Sequence, residues 1–260
     1  MLINHDFTRR VTVSCDDYYW VHSPQTGIDR VMLDRIGGEQ ARATSLVRYL
    51  PQTSFPEHQH PGGEEILVLE GQFSEGNRDY PAGWYLRNPP GSSHQPHSNK
   101  GTQLFVKLGQ MTKRETVPLR IDSRAPENWR EDGGMSICPL FESAEERVCL
   151  LRMDSGSLLV APSLKGGAEL LIVEGNLIEG NSIHAKGSWI RIPSGHGMAF
   201  IAGIDKTLVY LKEGHLDVEQ QRLIGILHIE GVETSAFGNH RHVGLLTEVL
   251  SGSLYPDYIL

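Results

Sequence analysis

A chain of 260 residues, 39% hydrophobic and 22% charged, has room for one large or two ordinary globular units, each with its own core. Its 24 basic against 32 acidic residues leave a formal charge of -8, which opposes a phosphate backbone and excludes nucleic acid as the main partner. No apolar run nears the roughly 18 residues of a membrane span, residues 1–13 lack the apolar core of a secretory signal, and three widely spaced cysteines, Cys15, Cys138 and Cys149, predict cytoplasmic surroundings rather than a disulfide framework.

Residues 1–42 carry short apolar patches (Val11, Val13; Val31, Leu33, Ile36) between turn formers, and are expected to be an N-terminal arm with one or two strands. From Thr44 the strand signals become dense. Leu46-Val47, Ile66 to Leu69, Trp84 to Leu86 and Leu104 to Leu108 alternate with Gly, Pro and Asn turns, a rhythm that predicts an all-β sandwich or barrel over residues 43–112. Inside it, His58 and His60 stand at i and i+2, so on an extended strand both rings reach one side. Pro61-Gly62-Gly63 turns the chain and lets Glu64 return to the same centre. His94 arrives behind Pro89-x-Gly91. Three imidazoles and a carboxylate suit one divalent first-row metal ion. His97, a further candidate for acid/base work, falls by strand parity on the opposite face from His94, whereas Ile66 and Val68 follow Glu64 on its own side and are expected to line an apolar substrate pocket.

These segments, Phe55 to Gly71 and Pro81 to His94, resemble the two motifs of the cupin family at every spacing, including Gly71, Gly83, Pro89 and Gly91. The wording His-Gln-His-Pro-Gly-Gly-Glu-Glu-Ile-Leu-Val-Leu-Glu-Gly over residues 58–71 is most similar to the cupin subgroup named after ChrR-type anti-sigma factors, and also to small-ketone dioxygenases. The resemblance implies a double-stranded β-helix (jelly-roll) barrel holding one Fe, Mn, Ni or Zn ion through His58, His60, Glu64 and His94.

After a connector with leading strands over residues 113–144, interrupted by Pro118, Pro126 and Pro139, the pattern recurs over residues 145–216. Gly62-Gly63 becomes Gly166-Gly167, Glu65 becomes Glu169, Gly71 becomes Gly175, and Gly83, Arg87, Pro89 and Gly91 become Gly187, Arg191, Pro193 and Gly195. One constant offset without gaps predicts a duplication, hence two tandem cupin barrels. At the four ligand positions the second copy has Pro162, Leu164, Ala168 and Met198, so it is expected to be degenerate and metal-free. Glu65 persists as Glu169 where the ligands vanish, and only Glu64 keeps the family's gap to Gly71, so Glu64 is taken as the carboxylate ligand. The tail, residues 217–260, contains His240-x-His242 but has no space for a second motif.

Two functions follow from the resemblance. One is a metal-dependent dioxygenase or lyase acting on a small oxygenated organic molecule such as a ketone or diketone. The other is a ChrR-like zinc-binding sensory module without turnover. Direct sigma-factor binding is not expected, because residues before the first barrel hold one cysteine, Cys15, and no His-x-x-x-Cys-x-x-Cys signature. Partners are expected to be a small-molecule ligand, with neither nucleic acid nor membrane, in a monomer whose barrels cover each other as a pseudo-dimer, or in a homodimer.

Overall fold

The strand Glu64–Glu75 shows how alternation builds this molecule. Ile66 and Val68 enter one apolar cluster with Leu86, Leu104 and Val106, whereas Leu67 and Leu69 enter another with Tyr85 and Phe105. A strand buried on both faces needs covering on both faces. The computed structural model, which describes residues 1–38 and 41–216, supplies that covering with an all-β fold of jelly-roll-like barrels. Its helical elements among the described residues are two short 3-10 turns, Cys15–Asp17 and Pro126–Asn128. No helix among the described residues is long and apolar enough to cross a membrane. The tail with His240 and His242 lies outside the described residues.

In the first half, an 11-stranded sheet runs Leu2–Ile3, Ile28–Ile36, Arg42–Tyr49, Thr102–Leu108, Glu64–Glu75, Trp84–Asn88 and Leu119–Asp122 along its main path. Beside it a two-stranded ladder pairs His58–His60 with Ser92–His94. The second half has a 7-stranded and a 4-stranded sheet. The repeat seen in the sequence is a repeat of register. Glu64 lies opposite Asn88 as Ala168 lies opposite Ile192, and the pairing to the neighbouring strand slips at Leu69 as it does at Val173. Gly71 and Gly175 have φ +71° and +70°, and a Cβ there would stand 2.1 Å from the Gly101 carbonyl oxygen and 2.7 Å from that of Lys206. Only glycine fits either place.

The leading strands are exchanged. Val11–Val13 pairs not with the first half but with Trp189–Ile192 of the second, Val11 opposite Arg191 and Val13 opposite Trp189. In return Leu119–Asp122 leaves the segment expected as connector and leading strands, and pairs with Trp84–Asn88 of the first half, Leu119 opposite Arg87 and Ile121 opposite Tyr85. Equivalent residues occupy equivalent registers in both directions.

Between the halves lies one shared apolar cluster, in which Leu33, Leu67, Tyr85 and Phe105 meet Leu150, Leu171, Trp189 and Tyr210. Buried charges cross there reciprocally. The Lys107 ammonium of the first half bonds the Glu169 carboxylate of the second, and the Lys212 ammonium of the second bonds Glu65 of the first at 2.8 Å. Arg87 reaches Glu65 at 3.0 Å and also Glu146, while Arg42 and Arg191 both face Asp34 at 3.4 Å. The residues that both copies kept, Glu65/Glu169 and Arg87/Arg191, are therefore structural ions of this junction.

Burial works against ionisation of Glu65, but Lys212, Arg87 and Lys107 outweigh it and hold its carboxyl down at about 2, from an ordinary 4.5. Burial pushes His215 down to about 4, from 6.5, against the pull of Glu169. In both cases the unfolded chain binds protons first as pH falls, so the sign is the same: stability is lost on acidification. The His215 contribution is complete above pH 6.5 and gone by about 4, and the Glu65 contribution is complete above 4.5 and gone by about 2. Thermal melts of chelator-treated protein are expected to decline progressively from pH 6.5 to pH 3. Melts that stay level across that range would refute the charged junction.

Candidate metal centre

The two motifs are clamped by backbone before any side chain is considered. The His60 carbonyl accepts from the N–H groups of Gly63 at 3.1 Å and Gly91 at 2.9 Å, which closes the Pro61-Gly62-Gly63 turn and draws the Pro89-x-Gly91 turn beside it. In the second half the Leu164 carbonyl does the same for Gly167 at 3.2 Å and Gly195 at 2.8 Å. The turns are thus scaffold in both copies. At the places of His60, Glu64 and His94 the second copy has Leu164, Ala168 and Met198, which are packed in an apolar cluster with Leu170, Ile192 and Phe200.

Three imidazoles converge in the first half. Ring centroids lie 4.6 Å apart for His58 and His60, 4.9 Å for His58 and His94, and 4.7 Å for His60 and His94. One ligand atom from each falls within 4.8 Å of the others. His60 Nε2 and His94 Nε2 are 3.0 Å apart, and Glu64 Oε2 is 3.4 Å from each of them. Two ligands about 2.1 Å from a common cation stand roughly 3.0–3.4 Å apart in octahedral or tetrahedral geometry, so these spacings fit.

Tautomers make the same point. His94 Nδ1 meets Glu75 Oε2 at 2.9 Å and His58 Nδ1 meets the Pro56 carbonyl at 2.9 Å. Each partner can only accept, so in the neutral rings both Nδ1 atoms carry the proton and both Nε2 atoms are bare. Bare nitrogens crowded beside a carboxylate are a cation's environment. The donor set of three imidazoles and one carboxylate suits Fe, Mn, Ni or Zn.

Groups behind these four side chains hold them in place. The Asn88 amide donates to Glu64 Oε2 at 3.0 Å. Glu75, between His94 and Arg120, has its carboxyl held down at about 2; burial opposes this, but the His94 hydrogen bond and the Arg120 charge prevail. Burial dominates at His60 and lowers its pKa, while at His94 burial is outweighed by the Glu75 bond and the Glu64 charge, leaving it raised. Phe55 and Phe73 pack against the rings of His58 and His94, with centroids 4.7 Å and 6.1 Å away.

A cleft of about 910 Å³ reaches the cluster at His94, and is lined also by Thr53, Ser92, His97, Asn99 and Arg120 among others. His97 thus lines the cleft together with His94. Parity placed them on opposite faces, but parity holds within one strand, and the chain breaks at Gln95 between Ser92–His94 and Pro96–Ser98. Ile66 and Val68 do follow Glu64 on one face, yet they are buried in the apolar cluster and do not line the cleft. Glu75, Asn88 and Arg120 were not singled out from the sequence. Asn88 left a trace there, since its counterpart in the ligand-free copy is Ile192.

Residues 8–112 match the ChrR cupin-like domain family. The match begins well before the motifs and takes in the strand Ile28–Ile36. Solved structures with the cupin fold superpose on most of the chain. A candidate dioxygenase from Nostoc punctiforme is 13% identical, with a TM-score of 0.65 over 82% of this chain and 86% of that one. The pirin YhhW from Escherichia coli, in complex with nickel(II), is 12% identical, with a TM-score of 0.59 over 79% of this chain and 98% of that one. YlbA from Escherichia coli is 14% identical, with a TM-score of 0.61 over 82% and 94%. A comparison with curated proteins finds no match. At these identities the likeness is one of cupin fold.

Proposed function

We propose that the chain is a metal-dependent cupin in which His58, His60, Glu64 and His94 hold one divalent transition metal ion, and that it acts as a dioxygenase or lyase on a small oxygenated organic molecule such as a ketone or diketone. The observation that carries this reading is the convergence of three imidazoles and Glu64, with His94 of that cluster lining an open cleft. A cation bound there supplies Lewis-acid polarisation of a substrate oxygen. The protein's own part is to present Nε2 of His58 and His94 by fixing their tautomers, to admit a polar ligand beside His94, and to offer His97 as a group that can take or give a proton within the same cleft. The nickel held by the Escherichia coli pirin and the dioxygenase description of the Nostoc protein support the reading by analogy of fold.

The test is elemental analysis of purified protein, followed by dioxygen uptake with a panel of diketones and hydroxyketones. Iron, manganese or nickel near one equivalent with oxygen consumption is the expected result. Stoichiometric zinc with no turnover on any substrate would replace the enzyme with the sensory module that the ChrR-like match also accommodates.

A further inference from the structure

We infer that Arg120, delivered by the exchanged strand, is a positioning residue for the metal centre, setting the geometry of Glu64 and His94 through Asn88 and Glu75. The inference rests on the metal-centre reading above. Arg120 sits opposite Leu86 on the strand Leu119–Asp122, one of the two leading strands that cross between halves. Its guanidinium lines the cleft, where a cation would ordinarily be read as a receptor for an anionic ligand. Its donors, however, are already spent on the protein. Nε reaches Glu75 Oε1 at 3.1 Å and the Tyr80 hydroxyl at 3.3 Å; Nη1 reaches the carbonyls of Leu119 at 2.7 Å and Arg87 at 3.3 Å; Nη2 reaches Glu75 and, at 2.7 Å, Asn88 Oδ1.

Two of these contacts lead to the ligands. A guanidinium only donates, so Asn88 must turn its carbonyl toward Arg120 and its NH₂ toward Glu64, whose Oε2 it bonds at 3.0 Å. Glu75, gripped through Oε1, presents Oε2 to His94 Nδ1 and so directs Nε2 inward. One side chain thereby orients a carboxylate ligand and an imidazole ligand together.

The ligand-free copy separates this role from simple fastening. By register, Thr12 stands where Arg120 does, opposite Ile190. The counterpart of Glu75 is Glu179, and it too is gripped by an arginine, Arg10, at 2.6 and 2.7 Å. An arginine-to-glutamate latch from the residue just before the leader strand to the body of the second half is therefore present where the histidines are not. What does not survive is the branch to the ligands, since Asn88 becomes Ile192 and His94 becomes Met198. A latch alone predicts that losing Arg120 costs stability and nothing else. Positioning predicts a change in how metal is held.

The experiment uses the full chain stripped by chelator and titrated with Co²⁺, read by calorimetry and by visible absorption of the bound ion. Arg120→Gln is expected to weaken Co²⁺ binding about 10- to 100-fold and to alter the absorption bands. Glu75→Gln combined with it is expected to add less than the sum of the two separate losses, because both act on His94. Asn88→Ala, which leaves the latch intact, is expected to weaken Co²⁺ binding in the same direction and keeps the test open should Arg120→Gln fail to fold. Wild-type affinity and bands in folded Arg120→Gln, or in Asn88→Ala, would overturn the inference. Failure of the wild-type chain to bind Co²⁺ at all would instead sink the metal-centre reading, and the inference with it.

Discussion

Lys107→Met is expected to lower the unfolding free energy by about 3–5 kcal/mol, because the substitution keeps the aliphatic volume but leaves Glu169 as a buried carboxylate without its bonded ammonium. Lys107 also donates to Thr44 Oγ1 at 2.9 Å, so a second partner loses its bond. The mirror substitution, Lys212→Met, is expected to cost less. Glu65, which Lys212 serves, still has Arg87 bonded to it at 3.0 Å, whereas Glu169 keeps His215 at 3.2 Å, which burial keeps from charging near neutrality, and the arginines Arg42 and Arg191 only at longer range. Adding Glu169→Gln to Lys107→Met is expected to recover about half or more of the loss, since a neutral amide costs far less to bury than an unpaired ion. Urea unfolding of metal-free protein measures all three. A loss below about 1 kcal/mol for Lys107→Met, the size of an exposed ion pair, would mean that the junction is wetter than the geometry describes.

His60→Ala is expected to remove nearly all bound metal while leaving the fold in place. The two effects separate because His60 does two jobs with different atoms. Its carbonyl clamps Gly63 and Gly91, and alanine keeps that; its ring, almost fully buried, meets both His94 and Glu64, and alanine deletes that. Affinity is expected to fall by more than about 100-fold, beyond the 10- to 100-fold that loss of a supporting group costs. Circular dichroism should be unchanged, since the second half packs around its own apolar cluster. Metal content equal to that of the unmodified chain would remove His60 from the ligand set.

The fold and the cluster were legible for local reasons. His58, His60 and Glu64 are near neighbours joined by a three-residue turn, and strand period together with Gly-Gly turn chemistry is enough to bring them together. His94 needs a longer reach, but its turn at Gly91 is tied to the His60 carbonyl, and the spacing of the motif encodes that tie. Arg120 carries no such signal. It lies in a proline-interrupted stretch, and its place depends on pairing with Leu86, far off in the chain. His97 was misplaced because parity was carried through Gln95, where one strand ends and another begins. Lys107, the one charge in the strand Thr102–Leu108, shows its burial only when the second half is laid against the first.

The reciprocal crossing of Val11–Val13 and Leu119–Asp122 has a consequence for how the chain can be divided. Severing the backbone between residues 109 and 118 yields two pieces, each of which has lent the other a border strand and is owed one in return. Neither piece can depart without stripping hydrogen bonds from both sheets, so a nicked molecule stays whole. A gene fragment encoding either piece alone would display an unpaired margin, an invitation to aggregate. The two register-matched halves thus have no independent lives, and each endures as the other's necessary complement.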